Sequence, residues 1–300
     1  MAFPHPLRLL FAGILSLPAL LLLVIVAPFI ILLSIPSLAI LVRRKRSFLP
    51  SFAPPRCSDG NSDANKHPLL RHAVITGGSS GIGLSIALQL AKQRCRHITL
   101  VARKEGQLAE AKRLVEEAAA SAKATTFVRI VSVDVTDFAA LEKAVAKLCG
   151  DTTAKDNSPG PPTLLFNCAG YAIPLAFEDL SASSFRGQVD VNYLGSVHVV
   201  KAFLPYMTQQ QHIGGNIILT SSMSGQAGTF GYSGYSPTKF AVRGFAECLS
   251  MELAAKKSNV NVSLAYPPDT KTPGYEIENQ SKPEECRLIS ESGGIWDPEM

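Results

Sequence analysis

Tyr235 and Lys239 stand four residues apart, a spacing that puts a phenol and an ammonium on one face of a helix. A phenol has an intrinsic pKa of about 10, so acid–base work near neutrality needs that value lowered. A neighbouring cation does this by stabilising the phenolate. With 7 tyrosines in the chain, one such pair could arise by chance. The order of the other polar residues argues against chance. Asn167-Cys-Ala-Gly170 follows a β-branched run, Asn192-Tyr-Leu-Gly195 lies in a helical pattern, and Ser221-Ser222 closes another apolar run thirteen to fourteen residues before Tyr235.

Further upstream, a short apolar run leads straight into Thr76-Gly-Gly-Ser-Ser-Gly-Ile-Gly83 and then into the helical pattern Leu84-Ser-Ile-Ala-Leu-Gln-Leu-Ala91. Glycines alone mark any tight turn, but the strand–loop–helix setting makes this a candidate pyrophosphate cradle. Gly77, Gly81 and Gly83 would let the backbone approach the phosphates. The helix start offers unpaired N–H groups, and Ser79 and Ser80 add hydroxyls. The next β-branched run ends in Val101-Ala-Arg-Lys104, with no acidic residue to accept ribose hydroxyls. Arg103 suits a 2′-phosphate, with Lys104 in support, which favours NADPH over NADH. Asp134 closes the third run and could receive the adenine amino group or serve as a turn or helix cap.

These residues need a scaffold that gathers loop ends. Short β-branched runs at His72–Thr76, His97–Val101, Phe127–Val133, Thr163–Phe166, Asn216–Thr220 and Val260–Ala265 alternate with helical patterns such as Leu108–Ala122 and Ala139–Leu148. Such alternation implies βαβ units and an α/β fold, a Rossmann-type doubly wound parallel sheet whose ligands bind outside the carboxyl ends of the strands. The candidate residues fall at those ends. Hydrophobic content of 46% and charged content of 18% exclude a disordered chain. A net charge of +5 without a basic, aromatic-studded face excludes a nucleic-acid partner. The 6 cysteines and 6 histidines are scattered, so no metal site is expected and the thiols read as small hydrophobes.

The amino terminus is of another kind. From Leu9 to Val42 no residue is charged, a run well beyond the roughly 20 residues a helix needs to cross a bilayer and too long for a signal peptide. Residues 1–46 therefore read as a transmembrane anchor with a basic flank, residues 47–70 as a linker, and residues 71–300 as the nucleotide-binding domain. Pro18, Pro28 and Pro36 leave open one kinked span or a re-entrant segment plus a span. Arg43-Arg44-Lys45-Arg46 follow the run and only Arg8 precedes it, which places the domain in the cytosol.

The ordered set of motifs from about residue 71 onward resembles the short-chain dehydrogenase/reductase family. The resemblance implies Tyr235 as proton donor, and Lys239 as the ribose anchor that lowers the Tyr235 pKa. Ser222 would bond the carbonyl oxygen, with Ser222 favoured over Ser221 by its spacing to Tyr235. Asn192 would position a relay water, with Asn167 and Gly170 bordering the nicotinamide. Further stretches, Ala265-Tyr-Pro-Pro-Asp-Thr-Lys-Thr-Pro-Gly274, Glu278-Asn279, Lys282-Pro283 and Arg287-Leu-Ile-Ser-Glu291, resemble the 3-ketodihydrosphingosine reductases. That likeness implies NADPH-dependent reduction of 3-ketosphinganine, a long-chain lipid ketone, at the endoplasmic reticulum membrane, with the segment after Pro267 as a substrate-side flap. A homodimer through the helices Phe185–Met207 and Tyr235–Ala254 is a family expectation. Family members continue beyond the point corresponding to Met300, so the final strand is expected to be missing here. Two other readings stay open: a microsomal steroid or retinoid carbonyl reductase, and a catalytically impaired, anchored nucleotide-binding fragment.

Overall fold

The computed structural model describes residues 68–150, 158–210 and 213–298. The anchor, its basic flank and nearly all of the linker lie outside the described residues. Among the described residues no helix is long and apolar enough to cross a membrane.

Six strands form one parallel sheet in the order β3-β2-β1-β4-β5-β6: β1 His72–Thr76, β2 His97–Ala102, β3 Phe127–Ser132, β4 Leu164–Asn167, β5 Gly215–Thr220 and β6 Val260–Ala265. Helices α1 (Gly81–Lys92), α2 (Glu105–Ser121) and α3 (Phe138–Gly150) follow the first three strands. After β4 the chain runs through α4 (Ala182–Gln188), a π-helical turn (Val189–Leu194) and α5 (Gly195–Gln209), and after β5 through α6 (Ser236–Ala255). The chain then closes with α7 (Pro273–Ser281) and α8 (Glu284–Gly293).

Strand periodicity divides the core into two layers. Val74 on β1 and Val101 on β2 join Leu165, Ile217 and Leu219 beneath α3, α5 and α6. Their neighbours Ala73, Ile75, Ile98 and Leu100 point the other way, into a cluster with Ala87, Leu90, Leu108 and Val115 of α1 and α2. A central strand such as β1 is therefore buried along its whole length, which is why its middle, Ala73-Val-Ile75, is apolar without alternation. Chain order reverses between β1 and β4, and the strand ends flanking that switch point are where ligand crevices form in such sheets.

Two features depart from the sequence expectation. The predicted helix Phe185–Met207 is interrupted by the π-helical turn Val189–Leu194, whose one buried side chain is Asn192. Such bulges widen the ring of backbone hydrogen bonds and gather at functional sites. In the second, the amino end of the expected helix Tyr235–Ala254 is displaced by one residue, so that Tyr235 is its N-cap and not a helical residue.

Candidate active site

The glycine loop is shaped by what its glycines exclude. Gly77 has φ +65° and Gly81 φ +55°, both in the left-handed region that favours glycine. A Cβ on Gly77 would sit 3.0 Å from the backbone of Cys168 and Ala169, so glycine is what lets this loop press against the chain leaving β4. A Cβ on Gly83 would lie 2.4 Å from the Gly77 carbonyl oxygen, so the first turn of α1 can rest on the loop only if it carries glycine there. No side chain caps α1 through Ser80 and no acidic residue occupies its first turn. Its leading N–H groups and positive dipole end thus suit an anion, and the cradle fits a dinucleotide pyrophosphate. Ser79 is partly exposed and Ser80 exposed on the same turn.

At the end of β2 both Arg103 and Lys104 are exposed, and no acidic residue replaces them. Lys104 is the N-cap of α2. Arg103 Nη1 lies 3.9 Å from Asp134 Oδ2, with the arginine side chain 66% exposed. An ion pair that open is worth little, so the guanidinium can turn to a phosphate at small cost. Asp134 does not cap α3; it closes a local turn by accepting bonds from Thr136 N (2.9 Å) and Thr136 Oγ1 (2.8 Å). Burial opposes its ionisation, but those bonds and Arg103 outweigh it and hold the carboxyl below its ordinary value.

The catalytic candidates meet across the ends of β4, β5 and α6. Ser222 stands two residues beyond β5, accepts a hydrogen bond from Ser224 N (3.1 Å) and is near enough to the Tyr235 phenol to favour its ionised form. Lys239, one turn into α6, is buried; its Nζ donates to Thr220 O (2.9 Å) and lies 5.6 Å from the Tyr235 ring centroid. Ser221 donates to Lys239 O (3.0 Å), so the first serine ties β5 to α6 and only the second faces the phenol. A Cβ on Gly170 would lie 3.0 Å from Asn192 Oδ1 and 3.5 Å from Lys239 Nζ, so this glycine keeps both polar atoms in one cleft.

Asn192 is fully committed through its side chain. Its Oδ1 accepts from Tyr171 N (2.9 Å), and its Nδ2 donates to Tyr171 O (2.9 Å) and Thr238 Oγ1 (3.2 Å). It therefore clamps the chain after β4 to α6, a role that its place in the sequence does not announce. Asn167 accepts from Thr76 Oγ1 (2.7 Å), joining β4 to β1 at the switch point, while its Nδ2 is buried without a partner among the described residues. An orphaned amide at this place is another group that a bound nicotinamide half could satisfy.

The protonation states differ from the expected ones. Burial pushes the Lys239 ammonium down to about 8, with the nearby Cys168 thiol opposing the change. Burial also pushes the Tyr235 phenol above its ordinary value; the Ser222 hydroxyl opposes the rise, and the carboxylates of Glu278 and Asp269 add to it. The expectation that Lys239 depresses the Tyr235 pKa is thus not met in this arrangement. The ammonium sits against the ring and commits a bond to Thr220, while desolvation and two carboxylates act on the hydroxyl. Such a phenol is a proton holder, suited to giving its proton to a stronger base.

The sequence model of short chain dehydrogenases matches residues 71–283. The chain belongs to the short-chain dehydrogenase family. Its relatives include a 3-dehydrosphinganine reductase of Danio rerio and a 3-ketodihydrosphingosine reductase of Bos taurus, each 44% identical over 230 residues, 76% of this chain and 65% of theirs. A 3-ketodihydrosphingosine reductase of Dictyostelium discoideum is 35% identical over 76% of this chain and 68% of its own. The chain thus spans about 65% of the length of the first two relatives. A crystal structure of a short chain dehydrogenase from Mycobacterium paratuberculosis bound to NAD superposes with a TM-score of 0.64 at 26% identity, covering 78% of this chain and 88% of that one. The family and this structural neighbour support a nicotinamide dinucleotide cofactor.

One group of residues in this family member is hidden from the sequence. Lys282, with its side chain sealed from solvent, lies 3.2 Å from Glu278 Oε1 and 3.8 Å from Asp269 Oδ2, and its Nζ sits 4.5 Å over the Tyr275 ring. Tyr232 donates to Glu278, and its ring lies 5.6 Å from that of Tyr235. The i, i+4 spacing of Glu278 and Lys282 is the available signal. It looks like an ordinary surface pair because nothing in the spacing announces burial.

Proposed function

We propose that this protein reduces 3-ketosphinganine to sphinganine with NADPH, as a step of sphingolipid synthesis, anchored by its amino-terminal segment in the endoplasmic reticulum membrane with the catalytic domain in the cytosol. The observation that carries the reading is the convergence of Ser222, Tyr235 and Lys239 beside the glycine cradle, in a chain 44% identical to reductases named for that ketone.

Ser222 and Tyr235 hydrogen-bond the carbonyl oxygen and orient the ketone. NADPH, when bound, supplies the hydride to the carbonyl carbon. Tyr235 gives its hydroxyl proton to the oxygen as negative charge develops there. The raised phenol pKa keeps that proton in place until an alkoxide, a far stronger base, is forming. The Lys239 ammonium holds the ribose hydroxyls, and the Asn192 clamp keeps the cleft between Tyr171 and Thr238 in register. Arg103, with Lys104 beside it, takes the 2′-phosphate, which supports NADPH over NADH. The long apolar segment Leu9–Val42 supports a tether, since a long-chain ketone dissolved in a bilayer is met at high effective concentration by an enzyme held there.

The test uses membranes carrying the full chain, NADPH and 3-ketosphinganine, with sphinganine measured as product. Wild type should form sphinganine, and Tyr235→Phe should lower turnover by roughly 10²–10⁴-fold, the usual worth of a positioned general acid. No sphinganine above the Tyr235→Phe level sinks the assignment.

A further inference from the structure

The Lys282 cluster has a charge balance that a purely structural strut does not need. Two carboxylates, Glu278 and Asp269, face a single ammonium, leaving one negative charge in excess. Tyr232 adds no further negative charge, because burial and then the charge of Glu278 push its phenol well above the ordinary value and keep it neutral. The three charged groups also differ in access. The Lys282 side chain is 0% exposed, whereas those of Glu278 and Asp269 are 17% and 31% exposed. The cation is thus locked in place while both anions keep an open edge. Asp269 Oδ2 is itself buried without a hydrogen-bond partner.

The cluster also adjoins the reacting phenol. Tyr232 bridges the two by donating to Glu278 while its ring packs 5.6 Å from that of Tyr235. Both carboxylates are near enough to act electrostatically on the Tyr235 hydroxyl. The Tyr235 hydroxyl, on which a ketone's oxygen would rest, therefore lies one aromatic ring away from this excess negative charge. We propose that Glu278 and Asp269 bind the ammonium of a long-chain ketone that carries an amino group on the carbon next to the carbonyl, with Glu278 as the specificity-determining residue. This rests on the ketone-reductase reading above and adds to it how such a substrate is told from a plain long-chain ketone. Lys282 is then a positioning residue that holds the two carboxylates from behind. The substrate ammonium neutralises the remaining charge, and a buried charge is tolerated only when so paired.

The experiment measures kcat and KM for two ketones of equal chain length, 3-ketosphinganine and its analogue lacking the 2-amino group, with the full chain in membranes and NADPH saturating. The variants are wild type, Glu278→Gln and Asp269→Asn. Wild type should prefer the amino ketone. In Glu278→Gln the ratio of the two kcat/KM values should fall about tenfold, chiefly through a higher KM for the amino ketone, with Asp269→Asn acting in the same direction. Gln keeps an oxygen for the Tyr232 hydroxyl, so the fold of the cluster is retained. An equal loss on both ketones, leaving the ratio unchanged, overturns the proposal and makes the cluster a strut. Equal reduction of the two ketones by wild type overturns it as well, and in both cases the reductase reading stands. Turnover of neither ketone by wild type overturns both readings together.

Discussion

The cofactor cradle and the flap around Lys282 lie on the same edge of one sheet and are built from opposite materials. The cradle is backbone: Gly77, Gly81 and Gly83 remove side chains so that a helix start and a tight loop can face an anion. Its charged side chains, Arg103 and Lys104, stand in water. The flap instead sequesters charge, with Lys282 sealed between Asp269 and Glu278 and under two tyrosine rings. Backbone recognition is tolerant of what lies around it and suits a cofactor shared by many enzymes. Buried side-chain charge is intolerant of change and suits discrimination between substrates.

That contrast predicts where damage is largest. Lys282→Met leaves two neighbouring carboxylates without their cation and should destabilise the domain by about 3 kcal/mol. This is the low end for a broken buried pair, because the carboxylates keep partial access to water. Thermal unfolding of the purified chain checks this, and a loss under about 1 kcal/mol would show that the flap is not held by its charges. Gly83→Ala should cost about 2 kcal/mol and weaken dinucleotide binding together, since its methyl would overlap the Gly77 carbonyl. Unimpaired NADPH affinity in that variant would mean that the loop can open without losing the cradle.

The two regions also differ in how far the sequence reveals them. All six strands and the helices after β1 and β2 follow from their patterns, because short β-branched runs alternate with longer amphipathic stretches. The cradle is legible because glycine at fixed spacing between a strand and a helix has few other uses. Tyr235, Lys239 and Ser222 are legible from their order. The roles of Asn192 and Ser221 are not, because a π-helical turn and a strand-to-helix bond depend on which elements become neighbours. Nor is the raised Tyr235 phenol, whose main cause is burial, reinforced by carboxylates more than thirty residues away in the chain. The flap lysine is hidden for the same reason, as spacing gives a partner but not a burial.

Smaller effects sharpen the cradle side of the comparison. Arg103→Ala should weaken NADPH roughly tenfold and leave NADH nearly untouched, the scale of one exposed charge-assisted contact. Equal losses on both cofactors would remove Arg103 from 2′-phosphate recognition.

The smallest effect expected is a pH dependence that separates Lys239 from the exposed cations. Its ammonium is held at about 8, so the charged form is present below that pH and is lost as pH rises through it. The Tyr235 phenol, pushed upward, stays neutral over the same range. If Lys239 holds the ribose, NADPH affinity should be flat between about pH 6 and 7 and fall by less than about tenfold between about pH 8 and 9, as one proton is lost. Lys239→Met should bind more weakly and show no such slope. A slope shared by wild type and Lys239→Met would assign the titration to another group. The buried ammonium would then serve only to hold α6 against Thr220, and the boundary between the backbone-built cradle and the charge-built flap would fall on the other side of Lys239.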